Sequence, residues 1–263
     1  YATAAAWLAF GLDINKTIFY RQSDVAIATE LSWILSCHFP YQRLTLAHSF
    51  KDKSDRLNDV NAGIFTYPML MASDILLYDA EFVPVGKDQQ QHLEMTRDVA
   101  TRFNNAYGET FVIPSPKINE NTKYVSGTNG EKMSKSKGNT IDIFLSENQL
   151  KKQIMSIETD STPIDQPKDF KTCNVFKLYS LIADNKSIEE LKQNYQKGGF
   201  GYGHAKKELL NYILSHFKNE REKFNHYMNN LGEIDTALNI GANKATKVAQ
   251  DVLNRVRQKL GYN

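Results

Sequence analysis

Phe82-Val-Pro-Val-Gly86-Lys-Asp-Gln-Gln-Gln-His92 passes from a short apolar run through a glycine into a polar stretch of helical character. Phe82-Val-Pro-Val reads as a strand, and the spacing predicts a helix from about Asp88 to Asn104. Helices alternating with strands build α/β domains around a largely parallel sheet. Such sheets bind ligands outside the carboxyl ends of their strands, which makes the Gly86–Gln91 segment a candidate site.

Working outward, the alternation continues. Thr17-Ile-Phe-Tyr-Arg-Gln22 is a further strand candidate, and Ser23 reads as the N-cap of a helix through Leu31, Ile34 and Leu35. Pro68 suits the first turn of a helix reaching about Tyr78. Tyr1–Phe10 is alanine-rich and reads as an amphipathic helix closed by Gly11, not as a signal peptide, because it has no basic leader. The chain is therefore expected to begin inside a domain. From about Phe144 strand signals nearly vanish. Ser146 with Gln149 and Ser187 with Glu190 resemble capping boxes. Long amphipathic stretches follow from His204 to about Met228 and from Ala242 to Leu260. The expected architecture is an α/β domain over residues 1–145 and an all-α helical domain over 146–263, joined through the Thr159–Phe170 region.

The 263 residues are 41% hydrophobic, enough for a substantial core. No apolar run approaches the roughly 18 residues of a membrane-spanning helix. Cys37 and Cys173 form no metal-binding pattern, and a reduced, cytoplasmic setting is expected. The net charge of +2 is unevenly spread. Residues 197–263 hold 11 Lys and Arg against 6 Asp and Glu, and residues 1–196 hold 21 against 24. A basic C-terminal third suits a polyanion such as RNA, and equally an ordinary solvated surface.

Lys132-Met133-Ser134-Lys135-Ser136 lies in a polar stretch with Gly127, Gly130 and Gly138, read as a mobile loop. Two ammonium groups on such a loop can close over a polyphosphate and neutralise charge as a phosphate bond breaks. The two hydroxyls can bond phosphate oxygens or brace the loop.

Tyr67, Met71 and Asp74 in Tyr67-Pro-Met-Leu-Met-Ala-Ser-Asp-Ile-Leu-Leu-Tyr78 fall on one helix face at i, i+4 and i+7. A carboxylate among Met71, Ile75 and Leu77 is costly unless a donor meets it. Two readings stand for Asp74: a satisfied structural aspartate, or a pocket residue that accepts a ligand N–H beside a methionine packed on an aromatic ring. His92, three positions after Gln89, is either near that site or a hydrogen-bonded structural histidine.

These stretches carry a resemblance. Lys132-Met-Ser-Lys-Ser136 matches the KMSKS signature of class I aminoacyl-tRNA synthetases. The Tyr67–Tyr78 stretch, with Val83-Pro-Val-Gly-Lys-Asp-Gln-Gln-Gln-His92-Leu-Glu-Met-Thr-Arg-Asp98, resembles the bacterial tryptophanyl type. Phe50-Lys-Asp-Lys53-Ser, Thr159-Asp160-Ser161, Gly201-Tyr-Gly-His-Ala-Lys206 and Gly241-Ala-Asn-Lys-Ala245 extend the similarity over nearly the whole chain. The resemblance implies a Rossmann-like catalytic domain and a helical tRNA anticodon-binding domain in a cytoplasmic homodimer. It implies ATP-dependent activation of L-tryptophan and its transfer to tRNA(Trp), with Mg2+ on the phosphates. Asp74 would accept the indole N–H, Tyr67 and Gln89 would hold the α-amino group, and Met71 and Val83 would line the indole pocket. Gly86 and Asp88 would lie against the ribose or adenylate. Lys53, Lys132 and Lys135 would hold phosphates on a loop completed by Met133, Ser134 and Ser136.

Lys87 and Lys137-Gly138-Asn139 depart from the family pattern. None of His38, His48, His92, His204, His216 and His226 sits in a HIGH-type motif. The resemblance puts that half of the ATP site before Tyr1, so a polypeptide starting at Tyr1 is expected to be inactive alone. The competing readings are a tyrosyl-tRNA synthetase and a non-catalytic, synthetase-like binding module.

Overall fold

A computed structural model describes residues 1–46, 61–86, 89–118 and 125–262. Its helices, in chain order, are α1 (Ala2–Ala9), α2 (Ile27–His38), α3 (Tyr41–Leu44), α4 (Ala62–Leu76), α5 (Gln90–Tyr107), α6 (Glu147–Met155), α7 (Asn174–Ile182), α8 (Asn185–Lys197), α9 (Tyr202–His216), α10 (Lys218–Asn229) and α11 (Leu231–Leu260). The strands are β1 (Phe82–Val85) and β2 (Ser115–Ile118). The chain forms two compact units: Tyr1–Leu12 with Lys123–Ile234, and Asp13–Thr122 with Asp235–Asn263. The junction at 145/146 lies inside the first of them.

In the unit of residues 13–122 and 235–263, β1 pairs in parallel with β2, Phe82 opposite Ser115 and Val85 opposite Ile118. The connection between them is α5, so the expected strand–helix–strand unit is present. Helices α2, α4, α5 and the part of α11 in this unit share a core of Leu31, Leu35, Met69, Leu76, Val99, Phe103, Val252 and Val256. Arg257 clasps Glu30 through two nitrogens at 2.7 and 2.5 Å, tying α11 to α2.

Several sequence expectations are corrected in this unit. Thr17–Gln22 is not a strand. Its residues run over an irregular segment into a 3-10 turn at Gln22–Asp24. The backbone at Phe19 presses on α11 instead: a Cβ on Gly241 would lie 1.9 Å from the Phe19 carbonyl oxygen, so only glycine allows this approach. Ser23 sits inside the 3-10 turn, and α2 begins later, after Ala26. Helix α4 begins at Ala62, well before Pro68, because the Asn61 side chain caps it by accepting from the Ile64 N–H at 3.2 Å. Pro68 is an interior residue, which leaves the carbonyl of residue 64 without its usual donor.

The unit of residues 1–12 and 123–234 is helical around a core of Leu150, Ile154, Tyr179, Leu191, Tyr195, Leu209 and Ile213. Buried Lys168 is satisfied by the carbonyls of Pro163, Gln166 and Ile164 at 3.0, 3.2 and 3.4 Å. Tyr202 donates to Asp160 at 2.8 Å, joining two of the quoted motifs. The stretch from His204 to Met228 is two helices, broken near Phe217. Helix α8 is capped by Asp184, which accepts from the Ser187 N–H, so the Ser187/Glu190 box does not form. Ser146 does precede α6, but its hydroxyl donates to the Gln149 side chain at 2.7 Å rather than receiving a backbone N–H.

Candidate active site

Helix α4 has Met69, Ala72, Ser73 and Leu76 buried. The buried Ser73 hydroxyl fastens it to α2 through the Ala28 carbonyl at 2.7 Å. With that face in the core, Tyr67, Met71 and Asp74 fall on its half-buried flank. Their spacing along α4 sets them on one side of it.

Asp74 is met by a donor that the sequence did not reveal. The Gln22 amide donates to its Oδ2. Partial burial pushes the Asp74 carboxyl above the usual aspartate range, and the Gln22 hydrogen bond pulls it the other way. Nearby, the Tyr20 hydroxyl donates to Tyr78 at 2.6 Å. Burial raises both phenols, and the Asp74 charge adds to the rise, so both stay protonated at neutral pH.

A second cluster joins Tyr67 to Gln89. The Tyr67 hydroxyl lies 2.5 Å from His92 Nε2, and His92 Nδ1 lies 3.0 Å from Gln89 Oε1. His92 is buried within the first turn of α5, and Gln89 precedes that helix. The Gln89 N–H closes onto the Gly86 carbonyl at 3.0 Å just beyond β1, where Val83 is half-buried. Lys53, Lys87 and Asp88 lie outside the described residues.

The Lys132–Ser136 segment belongs to the other unit and is laced by local hydrogen bonds. Ser126 and Lys132 form an antiparallel bridge, and Lys135–Lys137 make a 3-10 turn. Asn139 is the organiser. Its Oδ1 accepts from the Ser134 N–H at 2.8 Å, and its Nδ2 donates to Asn129 Oδ1 at 2.7 Å and the Lys132 carbonyl at 3.2 Å. Asn139 is only 3% exposed, and Gly127 makes room for it: a Cβ there would fall 2.3 Å from Asn139 Nδ2. The Ser134 and Ser136 hydroxyls are 2.8 Å apart, so the serines brace each other. Met133 lines an apolar cavity of about 170 Å³ with Ile141, Ile143, Leu178 and Ile213. Lys137 pairs with Glu131 at 2.8 Å. Lys135 is exposed and has no ion pair among the described residues.

In the one unit an exposed cation on a braced loop suits a phosphate; in the other a half-buried carboxylate, and an amide at a strand's carboxyl end, suit a ligand with polar N–H groups. Comparison with known proteins agrees. The profile of class I tRNA synthetases for tryptophan and tyrosine matches residues 1–218. The chain belongs to that family. It is 48% identical over 258 residues to the tryptophan–tRNA ligase of Campylobacter jejuni, covering 98% of this chain and 81% of the relative. The Fusobacterium nucleatum ligase is 46% identical over 262 residues, with 99% and 80% covered. The C. jejuni tryptophanyl-tRNA synthetase, solved with ADP and tryptophan, superposes with a TM-score of 0.95 at 48% identity, covering 99% of this chain and 82% of that one. A tyrosyl-tRNA synthetase from Aeropyrum pernix, 18% identical with a TM-score of 0.57, shares the fold alone.

Proposed function

We propose that the chain works as a tryptophan–tRNA ligase, activating L-tryptophan with ATP to the adenylate and passing it to tRNA(Trp). Asp74 is the observation that carries the choice of amino acid: a half-buried carboxylate, already oriented by Gln22, has an acceptor to offer an indole N–H. Met71 and Val83, both half-buried, would supply apolar walls for the ring, and Tyr67 with Gln89 would take the α-amino group.

Activation needs the amino-acid carboxylate in line with the α-phosphate and a means of stabilising the departing pyrophosphate. Lys132 and Lys135, with Lys53, would bear that charge, while Met133, Ser134 and Ser136 hold the loop in shape. Gly86 and Asp88 would sit against the ribose or the adenylate. Among the described residues no group of three His, Cys, Asp or Glu side chains could hold a metal. Mg2+ would be carried on the ATP phosphates and would offset their charge there. Residues 1–145 are assigned to catalysis and the helices of 146–263 to the anticodon side of tRNA, in a cytoplasmic homodimer. Among the described residues no helix is long and apolar enough to cross a membrane.

The test is charging of tRNA by the whole protein, offered labelled tryptophan or labelled tyrosine. Tryptophan-specific charging is expected. Charging with tyrosine would overturn the assignment, and binding of tRNA without charging by either would leave a non-catalytic module.

A further inference from the structure

Tyr67 comes from α4 and Gln89 from the approach to α5, and His92 stands between them. Its ring is buried, so each nitrogen must find a partner within the protein. Gln89 Oε1, 3.0 Å from Nδ1, can only accept, so Nδ1 carries a ring hydrogen. In the neutral ring that hydrogen is the only one, so Nε2 holds a lone pair and the Tyr67 O–H, 2.5 Å away, is the donor to it. The rings of Tyr67 and His92 meet edge to face with centroids 5.4 Å apart. The Thr96 hydroxyl anchors the His92 carbonyl at 3.0 Å.

We propose that His92 is a positioning residue that fixes the Tyr67 hydroxyl and the Gln89 amide as acceptors for the α-ammonium group of the amino-acid substrate. The proposal rests on the assignment of Tyr67 and Gln89 to that group. An ammonium has three donors and no acceptor, so every protein group that meets it must present a lone pair. A hydroxyl can rotate and an amide can turn over, and either can then point a hydrogen at the ligand. His92 removes both options. With the Tyr67 hydrogen committed to Nε2, that oxygen can meet a ligand only as an acceptor. Holding Oε1 with Nδ1–H fixes which end of the Gln89 amide is the oxygen, so the amide cannot turn over. His92 touches no reacting atom in this scheme and acts only through its two neighbours.

Three variants of the whole protein separate this role from simple packing. His92→Phe keeps an aromatic ring against Tyr67 and deletes both hydrogen bonds. His92→Asn retains a donor in the Nδ1 position, and His92→Gln retains an acceptor in the Nε2 position. Each is titrated with tryptophan and with indole-3-propionate, which is tryptophan without its amino group, and assayed for ATP–pyrophosphate exchange. For His92→Phe, affinity for tryptophan is expected to fall about tenfold or more, as for loss of hydrogen bonds to a charged group. KM should rise in parallel while kcat changes little, and affinity for indole-3-propionate should be preserved. The Asn and Gln variants should each recover part of the preference for tryptophan. Equal weakening of both ligands, or tryptophan affinity untouched, would overturn the proposal; should the Phe variant not fold, the Asn and Gln variants decide on the same criterion. Tyr67→Phe tests the underlying assignment separately. If the unaltered protein does not prefer tryptophan over indole-3-propionate, that assignment fails and this role fails with it.

Discussion

The Gln22 side chain donates to Oδ2 of Asp74 across 52 positions of sequence. A carboxylate accepts through two oxygens, so a donor fixed on one of them sets the direction of the other. Gln22 also opposes the burial that favours the protonated acid. Gln22→Leu should therefore weaken tryptophan while sparing β-(3-benzothienyl)alanine, an isostere with sulfur in place of the indole N–H. Calorimetric titration with both ligands checks this, with a tryptophan-specific loss of about 5–30-fold expected for one hydrogen-bonded link. Equal losses on both would make Gln22 a packing residue.

Asp74 should also be a residue whose charge costs stability. Its folded pKa is raised above the ordinary aspartate value, chiefly by burial. Between the unfolded and folded pKa values the folded form binds more protons, so stability falls as pH rises through that window. Asp74→Asn, neutral throughout, should accordingly melt higher than the unaltered protein at pH 7. The gain should shrink as the pH is lowered toward the unfolded aspartate pKa, and thermal unfolding across pH 4–8 would show it. A lower melting temperature for the variant at pH 7 would mean that Asp74 is a satisfied structural carboxylate.

Asn139 holds the Lys132–Ser136 turn from beneath. Asn139→Ala should slow ATP–pyrophosphate exchange while leaving tryptophan affinity unchanged, since it releases the Ser134 N–H and the Lys132 carbonyl together. Gly127→Ala should act in the same direction, because its Cβ would also meet the Asn139 backbone oxygen at 2.7 Å. Overpacking of this kind costs about 1–3 kcal/mol. Both variants are to be measured by exchange kinetics beside tryptophan titration.

Lys135 is exposed on its 3-10 turn, a suitable place for a charge that engages only as pyrophosphate departs. Lys135→Ala should lower the rate of adenylate formation by on the order of 10²–10³, with tryptophan affinity almost unchanged. Rapid-quench measurement of the adenylate gives the rate, and equal losses in rate and affinity would assign the lysine to folding of the loop.

Much of this was legible in the sequence, for identifiable reasons. β1 announces itself because Phe82-Val-Pro-Val ends in Gly86, and α5 because its apolar residues repeat at helical spacing over five turns. β2 was missed because Ser115-Pro-Lys-Ile is short, carries a proline and gains strand character only beside β1. Thr17–Gln22 looks like a strand by composition, yet its conformation follows from contact with Gly241, far along the chain. The start of α4 was lost because Asn61 follows a polar stretch, so Pro68 became the more visible signal. Tyr67, Met71 and Asp74 could be placed on one helix flank because helical spacing is a local property. Gln22 could not be found that way: an amide has no periodicity, and its partner is set by tertiary folding. His92 was visible, but its two-sided role depends on distances that spacing cannot supply.

The most direct measurement is ATP–pyrophosphate exchange by the whole protein with tryptophan, tyrosine and phenylalanine, before and after Asp74→Ala. Exchange should depend on tryptophan and not on tyrosine, with a steep loss in the variant. A charge-assisted hydrogen bond in a dry pocket contributes about 1.5–3 kcal/mol. Discrimination against phenylalanine should also narrow, because an acceptor left unpaired no longer penalises a ring without a donor. Exchange driven equally by tyrosine, or an Asp74→Ala protein that melts lower yet keeps its full preference for tryptophan, would contradict that expectation.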